Sequence, residues 1–303
     1  MKTFLSLLAV TLAEATIGVF VKLTGEAVPI FTLNFYRVLF AALFLGVAMT
    51  LINTSFWRFP RQNLRDIIIV GILIAAQISF FNIAMSLAPI ANVVIFWSVA
   101  PFFVFIFSWL FLGEKAKKQH VIIFMLAFVG LLIAEPFQPE AMLGNLIALG
   151  DGAIYAGLVT YMRHERNTES TNDVFWFMVA ATILLSPAVF IFGPGAVFAA
   201  SSNALFGLQV PVLLWVISLG VISTGIAYLF ISVVLKTIDA NVYSLVDIVV
   251  SPIVAAFFGF LIFGEVPSEN IIYGGTLLLA SGFWLTRNMS SAEQTHYRCT
   301  TGV

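Results

Sequence analysis

One cysteine occurs in the 303 residues, Cys299 near the C-terminus. A single tail thiol builds neither a disulfide framework nor a thiolate metal cluster. Charge is also scarce: 10% of the residues are Asp, Glu, Lys or Arg, against about 25% in a soluble domain. The formal net charge of −1 leaves no basic face for nucleic acid. The only histidines, His120, His164 and His296, fall in expected loops, at a span edge or in the tail. A serine–histidine dyad inside a bilayer would therefore lack its base. Neither a paired-histidine zinc motif nor a phosphate-binding loop is present. No cofactor or metal is expected, no enzyme chemistry, and no energy source other than a gradient.

Apolar residues fill the space that charge leaves. They make up 61% of the chain, and 31 phenylalanines raise the aromatic share to 15%. Ten apolar runs are separated by polar punctuation, at 4–23, 29–52, 65–87, 90–112, 119–135, 142–162, 171–194, 211–235, 239–263 and 268–286. Each is long enough, or nearly so, for a helix crossing ~30 Å of hydrocarbon. Continuous rather than alternating apolarity favours helices over a transmembrane barrel. Lys2, the run Phe4–Leu12 and Ala13-Glu14-Ala15 imitate a secretory signal with a cleavage site. The run continues through Ile17, Val19, Phe20 and Val21, so an uncleaved first helix is expected.

The basic residues orient the spans. With the N-terminus inside, one side collects Lys2, Arg58, Arg61, Arg65, Lys115, Lys117, Lys118, Arg163, Arg166, Lys236, Arg287 and Arg298. That is twelve of the fourteen; Lys22 falls opposite and Arg37 lies within the second span. Positive residues gather on the cytoplasmic side, so both termini are expected there.

The two halves repeat each other. Ala91-Asn92-Val93 opens a span containing Pro101 and closing on Gly113-Glu114; Ala240-Asn241-Val242 opens one containing Pro252 and closing on Gly264-Glu265. Proline to glycine is twelve residues in both, and alanine to proline is ten in one and twelve in the other. A repeat of five spans is odd-numbered, so its second copy enters the membrane inverted. That plan is common in secondary transporters. The fold expected is all-α and integral to the membrane, with ten transmembrane helices as two inverted five-helix repeats. The expected divisions are 1–137 for the first repeat, 138–288 for the second and 289–303 for a cytoplasmic tail.

Pro29 with Arg37, the Ala84–Ala91 turn, Pro101 with Gly113-Glu114, and the block from Gly225 to Glu265 carry a resemblance in their order and spacing. Through them the chain resembles the ten-helix, EamA-type members of the drug/metabolite transporter superfamily. The resemblance implies a bacterial inner membrane and export of metabolites, with amino acids the nearest general likeness. Leu12-Ala13-Glu14, Gly18 and Lys22 also resemble the first helix of small multidrug resistance proteins. There the matching glutamate binds protons and cationic substrates in turn, although those proteins have four helices and dimerise.

Charged groups at membrane depth are costly and mark candidate pathways. Four lie well inside the expected spans: Glu14, Arg37, Asp151 and Asp247. Glu14 either binds a proton or an ammonium group, or pairs with Arg37 to fix helix packing. Arg37 either forks onto a substrate carboxylate or joins the first two helices. Asp151, between Gly150 and Gly152, roughly matches Glu14 in the repeat and is expected to face a cavity. Asp247 has no acidic counterpart, since Phe96 stands at the equivalent distance before Pro101. A packed position in the cytoplasmic half is its plainer reading. Gln77, Asn82, Trp97, Ser98, Tyr155, Tyr228 and Ser244 complete the candidate substrate-binding set. Tyr155 follows Asp151 by one helical turn and shares its face. The alternative for these uncharged groups is bridging between helices. Pro101 and Pro252 are candidate gating points or static kinks.

Leu149-Gly150-Asp151 faintly resembles the glycine–aspartate motif of intramembrane aspartyl proteases, but the partner aspartate of that family comes earlier and follows a tyrosine. Here Asp247 comes later and follows Val246. The expected function is export of small amphipathic metabolites, amino acids first, with proton antiport as the coupling. An uncoupled facilitator of the same solutes and lipophilic-cation efflux stay open. The expected partners are the solute, protons and the lipid bilayer, without nucleic acid. Oligomeric state is not addressed by any of these features.

Overall fold

The computed structural model describes residues 2–52, 63–88, 90–134, 141–164, 170–199, 210–264, 269–270 and 272–285. Helices account for nearly all of them, and no strand occurs among the described residues. Eight helical spans are long and apolar enough to cross a membrane: α1 (Leu5–Ala27), α2 (Ile30–Leu51), α3 (Leu64–Leu87), α4 (Ile95–Leu112), α6 (Met142–His164), α7 (Asp173–Phe192), α8 (Val212–Val234) and α9 (Ala240–Phe263). Two shorter apolar helices, α5 (Lys118–Ile133) and α10 (Ile272–Leu285), complete the described set. Their order and bounds follow the ten apolar runs of the sequence. The shorter pair fall below the length of the other eight, so the count of ten full spans is approximate.

These helices are apolar on every side, as membrane spans are. Large hydrophobic side chains stand exposed at their outer surfaces, including Leu51 at 83% and Phe190 at 87%. In water such a surface would aggregate; in a bilayer it is the correct exterior. Hydroxyls along the spans turn back to their own helix, as Thr11 does to the Leu7 carbonyl at 3.0 Å and Thr50 to that of Gly46 at 2.6 Å. Each is thereby satisfied without water.

Packing is dominated by contacts between the halves. α3 lies on α6 and α1 on α8; α4 on α6 and α9 on α1; α3 on α7 and α8 on α2; α2 on α7 and α4 on α9. Replacing each helix by the one five places along the chain turns every one of these pairs into another of them or into itself.

Three spans are irregular at the point where they matter for the site. α1 is interrupted at Thr16, between the helical stretches Lys2–Ala15 and Ile17–Thr24. α4 is entered through Ile90–Trp97 and interrupted at Ser98 and Val99 before resuming at Ala100–Phe107. Pro101 sits at the start of the resumed stretch, where a missing N–H costs nothing. α9 by contrast runs unbroken from Ala240 to Phe263 through Pro252. α8 widens into a π-helical turn over Val221–Ile226, a form that concentrates at functional positions. Gly113 and Gly264 end α4 and α9 with φ of 69° and 67°. Only glycine adopts that left-handed conformation without a steric penalty, and it closes a helix there.

Candidate functional site

The interruption of α1 follows Glu14 by two residues. Thr16 bonds back to the Ala13 carbonyl at 2.6 Å and reaches Ser223 of the α8 π-turn, oxygen to oxygen, at 2.7 Å. The next residue of that turn, Thr224, accepts a hydrogen bond of 2.6 Å from Arg37 Nε and donates its own to the Leu219 carbonyl at 3.1 Å. The π-turn thus holds α1 with one hydroxyl and α2 with the next. Arg37 spends its Nε on Thr224 and lies within electrostatic reach of Glu14 and Tyr228. The helix that Arg37 bonds directly is α8, not α1.

Glu14 is half-buried, yet its Oε2 is enclosed and takes no N–H or O–H donor. Its carboxyl group lies beside that of Asp247, which reaches it from α9. Asp247 is 6% exposed. Its Oδ2 accepts the Tyr155 hydroxyl of α6 at 2.6 Å, and its Oδ1 accepts the Ser251 hydroxyl at 2.8 Å. Asp247 therefore stands at the meeting of α1, α6 and α9. It is buried, and the group beside it is the other acid.

Tyr155 also meets Trp97 of α4, ring centroids 5.2 Å apart and tilted by 56°. α6 approaches this part of α4 closely because residue 152 is glycine. A Cβ there would stand 3.0 Å from the Trp97 carbonyl oxygen. Gly152 is thus filled by the neighbouring backbone, and only Gly150 has open space beside it. Asp151 is fully buried. Gln77 of α3 donates a long hydrogen bond of 3.4 Å to its Oδ2, and Oδ1 is unpartnered. Tyr228 interacts electrostatically with Asp151 on one side and with Arg37 and Glu14 on the other. Tyr243 stands beside Glu14 and Asp247, 1% exposed, with its hydroxyl next to that of Tyr155.

Glu14, Arg37, Gln77, Trp97, Asp151, Tyr155, Tyr228 and Asp247 thereby form one continuous cluster drawn from seven helices. Two further candidates, Asn82 and Ser244, are bonded elsewhere. Asn82 donates to Asn34 Oδ1 at 2.6 Å and ties α3 to α2. Ser244 bonds to the Asn241 carbonyl of its own helix at 3.1 Å. Ser98 is fully buried at the interruption of α4. Pro101 lies two residues beyond that interruption, and of Pro252 the structure describes only its place within continuous α9. Thr224, Ser223 and Ser251 had no sequence signal beyond their helical setting. Gly220, just before the π-turn, and Gly225, within it, were the one available hint.

Beyond the cluster, one end of the molecule is held by ions. Arg163 of α6 donates from Nε to Glu114 Oε1 at 2.8 Å and from its terminal nitrogens to the Leu235 carbonyl at 2.6 Å and Asp239 Oδ1 at 2.9 Å. Glu114 Oε2 accepts the Ala240 N–H at 3.2 Å. The ends of α4, α6 and α8 and the start of α9 meet there. The opposite end is held by backbone and hydroxyl contacts: Thr32 to the Gly193 carbonyl at 2.8 Å, and Ala196 N–H to the Ala27 carbonyl at 2.7 Å. A groove of about 400 Å³ between α2 and α7, lined by residues such as Leu39, Leu43, Val47, Phe175 and Ile183, lies away from the cluster. It holds no titratable group and opens onto the apolar outer surface.

Among the described residues no group of three or more His, Cys, Asp or Glu could hold a metal ion. The arrangement instead offers three carboxyls, a guanidinium and phenolic oxygens beside aromatic faces. These can bind a small solute with charged and apolar parts, and they can carry a proton.

The family model described as "EamA-like transporter family" matches residues 1–134 and 142–287. The chain is 26% identical over 226 residues to a riboflavin transporter of Brucella anthropi, covering 74% of this chain and 76% of that one. It is 25% identical over 287 residues to the pseudopaline exporter CntI of Pseudomonas aeruginosa, covering 93% and 95% respectively. A crystal structure superposes with a TM-score of 0.79 at 20% identity, over 96% of this chain and 99% of that one, which shows that the two share a fold.

Proposed function

This chain belongs to the EamA-like transporter family, and from that premise we propose that it exports small amphipathic metabolites, amino acids first, in exchange for protons. It is a multi-pass membrane protein whose family moves small molecules. The named relatives carry different solutes, riboflavin in one and pseudopaline in the other. Membership therefore leaves the solute to be argued from the site.

The observation that carries the proposal is the convergence of Glu14, Arg37, Asp151, Tyr155, Tyr228 and Asp247 from α1, α2, α6, α8 and α9. A solute ammonium fits the carboxyls, a solute carboxylate fits the guanidinium fork, and an apolar body fits the Trp97–Tyr155 wall. Two five-helix repeats, residues 1–137 and 138–288, enter the bacterial inner membrane in opposite senses, and the tail 289–303 and both termini are cytoplasmic. The packing relations between helices five places apart support that repeat. The Arg163–Glu114–Asp239 end is then the cytoplasmic one, and the interruption of α4 before Pro101 supplies a point of flexure; Pro252 shapes α9 without breaking it.

Cells expressing the protein are expected to resist toxic amino-acid analogues better than control cells. Resistance confined to lipophilic cations would replace this reading with multidrug efflux. Flux that ignores a proton gradient would make the protein a facilitator of the same solutes.

A further inference from the structure

Resting on the transport reading above, we infer that Glu14 and Asp247 form a single proton-binding site, in which Glu14 carries the proton and donates it to Asp247. Two carboxyl groups within hydrogen-bonding reach of each other need one proton between them, because two bare carboxylates out of water repel. The surrounding donors say which acid holds it. Asp247 already accepts hydroxyl hydrogens on both oxygens, from Tyr155 at 2.6 Å and Ser251 at 2.8 Å. Hydrogen bonds of this kind stabilise a carboxylate. Glu14 receives none, and its enclosed Oε2 is unpartnered. Glu14 is therefore the donor.

A second observation stands beside the acids. The Tyr243 hydroxyl, on a residue 1% exposed, adjoins both carboxyls and the Tyr155 hydroxyl. From there its O–H can turn toward Glu14 once the proton has gone. The other groups facing the pair are Arg37 from α2, Tyr155 from α6 and Tyr228 from α8. With Glu14 neutral, Arg37 balances Asp247 and the cluster around the pair has no net charge. Release of the proton leaves one negative charge there, which an ammonium group would match. The proton moves as an ion, and no covalent bond other than the Glu14 O–H is broken.

The test is infrared spectroscopy of the purified full-length protein in detergent at neutral pH, without solute. The protonated carboxyl gives a C=O stretch that shifts on exchange into D2O. The band is read as the difference between wild type and variant, so that any separate signal from the buried Asp151 cancels, and the same band is expected to be lost in E14Q and in D247N, whose amides donate to the remaining carboxylate. Y155F removes one donor to Asp247 and is expected to move the band without abolishing it. A wild-type spectrum without the band overturns the inference, as does a band that survives both acid substitutions. Should either acid variant fail to yield folded protein, a band unmoved by Y155F overturns it. Because the band is read without solute, its presence is independent of flux. A protein that transports but lacks the band contradicts only this inference, and one that has the band but moves no solute contradicts only the transport reading.

Discussion

Arg163 and Glu114, 49 residues apart in the chain, meet at 2.8 Å and tie the end of α6 to the end of α4. Their side chains are only 5% and 14% exposed. The same guanidinium reaches the Leu235 carbonyl and Asp239, and the same carboxylate caps the first N–H of α9 at Ala240. Negative charge at a helix start is favourable, so Glu114 serves both an arginine and a helix N-terminus.

Arg163→Ala should accordingly lower the thermal midpoint of the purified protein markedly. Breaking a buried pair by removing one partner costs roughly 3–5 kcal/mol. Arg163→Lys should recover little, because a point charge cannot serve three acceptors placed around a planar fork. Thermal unfolding in detergent reads both, and unchanged midpoints would show the knot to be incidental.

Tyr155→Phe keeps the ring beside Trp97 and removes the hydrogen bond to Asp247. A hydrogen bond to a charged group contributes about 1.5–3 kcal/mol. Transport at low solute concentration should fall at least tenfold and the thermal midpoint should drop modestly, while the yield of folded protein holds. Equal loss of yield and flux would mark Tyr155 as a packing residue only.

Gly220 lets α8 enter its π-turn against α2. A Cβ at this position would lie 2.5 Å from Phe40 Cβ and 2.8 Å from the Arg37 carbonyl oxygen. Gly220→Ala should thus force the helices apart at a cost of about 1–3 kcal/mol, the range for overpacking a tight contact. A lowered thermal midpoint checks this, and flux should fall with it because Arg37 shifts on the same helix.

The helices were legible in the sequence because apolar length is what a bilayer demands, and loops had to carry the charge. The irregularities were less so. Pro101 pointed to a break in α4, but the interruption lies ahead of it at Ser98 and Val99. Proline is tolerated just inside a resumed helix, so it marks the restart rather than the gap. Pro252 carried the same signal, yet α9 is continuous there. Glu14, Arg37 and Asp151 stood out as ions within apolar runs, and they do cluster. Asp247 was harder to weigh because its repeat partner is Phe96; only the packing of α9 on α1 brings it to Glu14. The Arg163 knot was invisible for a different reason: an arginine at a span end reads as a topological marker, and its partners are 49, 72 and 76 residues away.

Sidedness can be read with single cysteines after Cys299 is replaced. Glu26 and Lys117 are both exposed, at opposite ends of the apolar spans. A cysteine at 26 should react with an impermeant maleimide in intact cells, and one at 117 only after permeabilisation. Labelling of both from the same face would remove the inverted-repeat arrangement.

Proton-coupled efflux of labelled neutral amino acids from proteoliposomes, compared between wild type and Glu14→Gln, tests the account most directly. The account predicts wild-type flux that accelerates under an opposing proton gradient and varies with pH, because solute and proton compete for one carboxyl pair. It predicts that Glu14→Gln, folded and reconstituted to the same density, loses both responses. Wild-type flux indifferent to the gradient, or a glutamine variant with an unaltered pH profile, would contradict it.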